Sequence, residues 1–114
     1  MRGLNERLMD ALTPVLPTMP GTYTGSHDTY LAFNYDTTGM EYGDNQPAVE
    51  RALIQVHLVA PMTANTVETR KAVKRALFAA GFGWPSMTDA SDKLGQHYVF
   101  ECESVEVDLY EDGR

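Results

Sequence analysis

Apolar positions recur along the chain with two different periods, and the changes of period mark its elements. Leu4, Leu8, Ala11 and Leu12 follow the i, i+4, i+7, i+8 spacing of one helical face, which predicts a helix from about Leu4 to Thr13. Pro14 disfavours its continuation, because proline lacks an amide donor and restricts the residue before it. The Pro/Thr/Gly stretch that runs to Ser26 is a connection whose path the pattern leaves open. From Thr29 to Tyr35 the period becomes two, with Leu31, Phe33 and Tyr35 pointing one way and Tyr30, Ala32 and Asn34 the other: a strand. Asp36-Thr37-Thr38-Gly39 and Gly43-Asp44-Asn45-Gln46-Pro47 are turn chemistry, and predict an exposed loop or wide hairpin carrying Met40 and Tyr42.

Ala48 to Ala60 is the longest apolar-rich stretch without Gly or Pro, and its alternating Ile54, Val56 and Leu58 with Pro61 beyond favour a strand. The other face of that strand, Leu53, Gln55, His57 and Val59, is mixed, as expected of an interior strand or one that meets another subunit. Asn65, with Glu68 three residues on, has the form of a capping box. Val67, Val73, Leu77 and Ala80 supply a stripe, and Gly81 suits the left-handed position that ends a helix. A loop around Trp84, Pro85 and Asp89-Ala90-Ser91-Asp92 follows. Alternation then returns from His97 to about Leu109, where Tyr98, Phe100 and Cys102 share a face but Val105, Val107 and Leu109 lie out of phase with them. That shift predicts a bulge near Ser104 or two strands separated by a bend. The order helix, strand, loop, strand, helix, strand gives an α+β domain, a mixed sheet of three to five strands flanked by two helices. The link from the 48–60 strand through the helix to the last strand allows either a crossover or an antiparallel return.

With 114 residues, 43% hydrophobic and 22% charged, the sequence has room for one core, so residues 1–114 are expected to form a single domain with a radius of about 13 Å. Nine Lys+Arg against sixteen Asp+Glu give a net charge of −7, which disfavours nonspecific binding to nucleic acid or an anionic membrane. Neither a secretory leader nor an apolar run long enough to span a membrane is evident, and a reducing, soluble compartment is the expectation. Cys102 is the only cysteine, which excludes an internal disulfide and a cysteine-rich zinc site.

Catalytic readings find little support in this pattern. His27, His57 and His97 are too far apart in sequence for a local metal pair, and His57 and His97 meet only if their strands are neighbours in the right register. Ser26-His27-Asp28 contains the residue types of a hydrolase triad, but adjacent residues of an extended chain point to opposite faces. Cys102 sits on the core face without a cation or helix N-terminus beside it, and reads as structural. Glu101 and Glu103, about 6.6 Å apart by strand rise, have a spacing an inverting glycosidase uses, though a solvated acidic face explains them as well. No cofactor motif occurs. Arg70, Lys71, Lys74 and Arg75 depart from the acidic background. They are either a solvated helix face or a patch suited to an acidic surface on another copy, including the 101–112 strand.

The ordered set Tyr30-x-x-Phe33-Asn34-Tyr35, Gly43-Asp44-Asn45-x-Pro47, Gln55-Val56-His57-Leu58, Leu77-Phe78-x-Ala80-Gly81-Phe82 and Gly95-Gln96-His97-Tyr98-x-Phe100-Glu101 resembles a small protein of the head–tail gene block of long-tailed bacteriophages and prophages, the tail terminator or tail completion protein. The resemblance implies a mixed sheet flanked by helices, no catalytic residues, and assembly as a ring, commonly a hexamer, on the end of the tail tube. Its partners would be further copies of itself, the tail tube protein and head–tail connector proteins, at the head–tail junction of the virion after assembly in the host cytoplasm. DNA would pass through without specific binding. Met40, Tyr42, Arg70, Lys71, Lys74 and Arg75 are the candidate interface residues. The alternatives are a capsid-side connector or stopper, a small hydrolase or metal-dependent enzyme, and a free-standing binding module.

Overall fold

A computed structural model describes residues 3–43 and 46–107, with side chains described for 3–38 and 50–105. Helix α1 (Leu4–Leu12) leads into a short strand β1 (Thr18–Pro20), followed by β2 (Tyr30–Gly43), β3 (Gln46–Ala60), helix α2 (Val67–Ala79), β4 (Ser86–Asp89) and β5 (Gln96–Val107). The strands form one mixed sheet in the order β1-β2-β3-β5-β4, in which β1 runs parallel to β2 and every other pair is antiparallel. The protein therefore has an α+β fold. The link from β3 through α2 leads to β4, which runs parallel to β3 with β5 between them, so it is a crossover; β4 then returns antiparallel into β5, the antiparallel neighbour of β3, and β3 is the central strand.

Period-two alternation along β3 sorts the two faces of the sheet. Ala52, Ile54, Val56, Leu58 and Ala60 are buried, and their partners Leu31 and Phe33 on β2 and Tyr98 and Phe100 on β5 lie on the same side. Both helices cover that side: Leu4, Leu8 and Leu12 of α1 and Val73 and Leu77 of α2 join these strand residues in one cluster. A core of branched and aromatic side chains at close-packed density loses both transfer energy and contacts when a side chain is shortened.

Helix α2 starts one residue later than the capping-box pattern predicts. Its N-cap is Thr66, without a side-chain cap; Asn65 Oδ1 instead accepts the Val67 amide at 3.2 Å. The buried hydroxyl of Thr66 donates to Gln96 Oε1 at 2.7 Å, while Gln96 Nε2 donates to the Pro61 and Ala64 carbonyls at 2.8 and 2.6 Å. Thr66 therefore takes the inward slot of the first turn, and Val67 is 45% exposed rather than part of the apolar stripe. The other end follows expectation. Gly81 has φ +93°, its amide reaches the Phe78 carbonyl and the Phe82 amide reaches Leu77, a complete Schellman motif with Phe82 buried beside Leu77.

Three expectations are corrected. Of the expected exposed loop or wide hairpin, the hairpin is what forms, because β2 and β3 pair antiparallel; Asp36-Thr37-Thr38-Gly39 lies within its ladder rather than in a loop, paired with Leu53, Ala52, Arg51 and Glu50, and the register shifts only between Gly39 and Tyr42. Ladder pairing to a long partner outweighs local turn propensity here. No bulge occurs near Ser104, because β5 pairs with β3 in one unbroken register from Gln96 to Val107. Ser104 stays in phase on the buried side, whereas Val105 is 56% exposed on the other. The change of apolar phase reflects strands leaving the helix-covered body. The radius of gyration is 15.3 Å and the extents are 54 × 24 × 23 Å, longer than the expected compact shape, as the far ends of β2, β3 and β5 fit a ribbon extending beyond the helices.

This assignment of faces predicts unequal costs within one strand. Leu58→Ala, at a fully buried position, is expected to lose about 2–5 kcal/mol. Leu53→Ala, at a 44% exposed position, should lose under about 1 kcal/mol. Urea unfolding of the two variants and the parent measures both.

Candidate functional site

The sheet face turned away from the helices carries the chemistry. At one end, residues 21–23 line a groove of about 410 Å³ together with Tyr30, Ala32, Asn34, His57, Val59 and His97. The rings of Tyr23 and Tyr30 stack there at 4.1 Å with an interplanar angle of 9°. Strands β3 and β5 are neighbours, and their register sets His57 diagonally from His97, so the condition posed by the sequence is met. His57 Nδ1 lies 2.9 Å from His97 Nε2, and His57 Nε2 lies 3.1 Å from Asn34 Oδ1.

Those distances assign protons. Asn34 Oδ1 can only accept, so His57 donates from Nε2; its Nδ1 then accepts the proton held by His97 Nε2. Protonating His57 at Nδ1 would set two donors against each other. Partial burial, and secondarily the proximity of His97, accordingly hold the His57 pKa below its ordinary 6.5.

Farther along the same face the side chains become acidic. Asp36 of β2, Leu53 of β3 and Glu103 of β5 stand in one row across the sheet. Glu101 accepts from Gln55 Nε2 at 3.2 Å, and Glu103 meets Arg51 at 3.7 Å. Asp36, Leu53, Gln55, Glu101 and Glu103 line a depression of about 420 Å³. Each acid of the pair suggested by glycosidase spacing is thus engaged by a neighbour on β3.

The four basic residues of α2 are not equivalent. The Arg70 guanidinium lies 4.4 Å from the Tyr98 ring centroid and donates to Thr66, so it is folded into the body. Lys71 pairs with Glu68 at 3.5 Å. Lys74 and Arg75 have no ion-pair partner among the described residues, and Arg75 is exposed. Met40 and Tyr42 fall within β2, but their side chains lie outside the described residues. Ser26, His27 and Asp28 are all exposed in the loop before β2. Cys102 faces the helices, where burial pushes its thiol up from 9.0 to about 11. Among the described residues no group of three or more His, Cys, Asp or Glu converges as metal ligands, and no helix is long and apolar enough to cross a membrane.

Known proteins share the fold rather than a readable sequence. No family model matches the chain, and no curated protein matches it. Seven solved chains match in structure. One superposes with a TM-score of 0.59 over 94% of this chain and 89% of its own, at 16% identity, and its name is a bare sequence identifier without a functional description. That likeness establishes a shared fold and nothing about activity.

An exposed aromatic pair escaped the sequence pattern. Phe78 and Trp84 are 59% and 60% exposed and meet edge to face, with centroids 5.9 Å apart. Phe78 is out of phase with the buried Val73 and Leu77, which was the signal available for it.

Two outcomes follow from these environments. Because the folded pKa of His57 lies below the unfolded value, the unfolded chain binds its proton first, and stability falls as pH drops through about 6.5 toward the folded value. His57→Gln should flatten that part of the profile in urea midpoints measured between pH 5 and 8, a range set by ordinary imidazole titration. The raised pKa of Cys102 lowers its thiolate fraction about 100-fold at pH 8, and because a more basic thiolate is also the better nucleophile, its folded thiol should react with a disulfide reagent about 10-fold more slowly than the unfolded thiol, in a timed absorbance assay.

Proposed function

We propose that the chain is a subunit of a tail terminator, a ring that caps the tail tube of a long-tailed bacteriophage or prophage and joins it to the capsid connector. Apart from Asp44 and Asn45, which lie outside the described residues, the segments that carry the resemblance fall on or beside β2, β3, α2 and β5, which make up the interior of the sheet and half of its cover. The observation that carries the reading is a body 54 Å long whose sheet has helices on only one face, which leaves a long surface for neighbours. A ring subunit needs two different surfaces, one for the preceding and one for the following copy.

In this reading the chain contributes shape and charge rather than catalysis. Its partners are further copies, commonly six in all, the tail tube protein and the connector proteins. It acts at the head–tail junction of the virion and is assembled in the host cytoplasm. The −7 charge lets DNA pass a ring lumen without adhering, because nonspecific affinity for a duplex comes from cations on phosphates.

Deletion of the gene tests the reading by electron microscopy of the resulting lysate. Overlong tails, or tails separated from filled heads, are expected. Normal-length tails beside leaking filled heads would assign the chain to the capsid-side stopper instead, and unaltered virions would remove it from the junction altogether.

A further inference from the structure

We infer that the outer surface of α2 and the acidic half of the uncovered sheet face are complementary docking surfaces, through which one copy of the chain binds the next in head-to-tail order. The inference rests on the ring-subunit reading and names the surfaces that would make the ring.

The two surfaces match in both charge and apolar content. Along the outer ridge of α2, Lys71, Arg75 and Phe78 follow one another at helical spacing, and Trp84 packs against Phe78. Glu68 neutralises Lys71, which leaves Lys74 and Arg75 as the cations in surplus. On the sheet, Leu53 is 44% exposed between Asp36 on one neighbouring strand and Glu103 on the other, with Glu101 one row along. Three carboxylates there face one guanidinium, that of Arg51. An aromatic pair beside cations on one surface thus corresponds to an aliphatic residue among carboxylates on the other. Trp is among the side chains that carry most energy when buried in an interface, and Phe is among those enriched at interface cores, while flanking charges select the partner and its orientation.

Placement fixes the kind of assembly. Helix α2 lies on one face of the sheet and the acidic patch on the other, so a copy cannot turn both toward the same neighbour. A two-fold dimer using both contacts is thereby excluded. The contact is heterologous, and it closes into a ring when the rotation per copy divides the circle.

Sedimentation velocity and native mass spectrometry of the full chain, up to about 1 mM, test this. Oligomers of more than two copies are expected. Arg75→Glu, Asp36→Lys and Trp84→Ala should each weaken association about 100-fold while the circular dichroism melt stays close to that of the parent, since all three positions are exposed. Mixing the Arg75→Glu chain with the Asp36→Lys chain should restore assembly, because each swapped surface then meets its complement. A parent that stays monomeric, an assembly limited to two copies, oligomers indifferent to all three substitutions, or a mixture that does not reassociate would each overturn the inference. An assembly indifferent to the substitutions, with overlong tails on deletion, rejects these surfaces and leaves the terminator reading intact. Normal virions on deletion, with an assembly that depends on the substitutions, reject the terminator reading alone.

Discussion

Both helices pack on the same face of the sheet, and the remaining architecture depends on that asymmetry. It requires β3 to divide its side chains strictly, with Ala52, Ile54, Val56, Leu58 and Ala60 inward and Arg51, Leu53, Gln55, His57 and Val59 outward. A slip of one residue in the pairing of β3 would exchange the two sets, placing Arg51 and His57 under the helices. The cost of burying those groups unpaired fixes the register more strongly than any turn could. Gln96 then secures the cover to the sheet, since its amide joins the first residue of β5 to the Pro61 and Ala64 carbonyls and to the N-cap of α2.

Strand length goes beyond what the helices can cover. β1 pairs only with Leu31–Phe33, and β4 only with Tyr98–Glu101, whereas β2, β3 and β5 continue together for several residues more. An extension of this kind has unpaired edges and thus a tendency to pair with other chains. Its composition moderates that tendency with charge: Asp36, Arg51 and Glu103 all point outward there, next to Glu101 at its border with β4. The same carboxylates that discourage indiscriminate association make an association with a cationic surface selective.

The elements legible in the sequence were those whose own hydrophobic period decides their structure. α1, α2 and β3 follow from Leu4, Leu8 and Leu12, from Val73 and Leu77, and from Ile54, Val56 and Leu58, because each buries one continuous stripe. β1 and β4 were not legible: they are three and four residues long and rich in Thr, Ser and Pro, and only a neighbouring strand makes them strands. The Asp36–Gly39 run misled for the same reason, since ladder bonds to β3 override turn chemistry without leaving an apolar trace. The histidine pair was legible as a condition on register, which the sequence could state and only the sheet could fulfil. The basic quartet was legible as charge but not as roles, because the ring of Tyr98 under Arg70 and the carboxylate of Glu68 beside Lys71 are contacts of the folded chain.

A net charge of −7 on each copy works against a ring of the kind proposed, yet the distances involved favour the local terms. At physiological ionic strength charges separated by more than about 8 Å of solvent are largely screened, so the bodies of adjacent subunits in such a ring would scarcely repel. Charges brought to about 4 Å across a contact, with water partly removed, interact several-fold more strongly than the same charges in bulk solvent. What matters is therefore whether the few residues at the contact are of opposite sign. Here the surplus cations, Lys74 and Arg75, and the carboxylates left over once Arg51 has paired with Glu103, namely Asp36 and Glu101, lie on opposite sides of the same thin sheet-and-helix body. In the proposed ring, the uneven placement of the charge, more than its sum, would decide how copies meet.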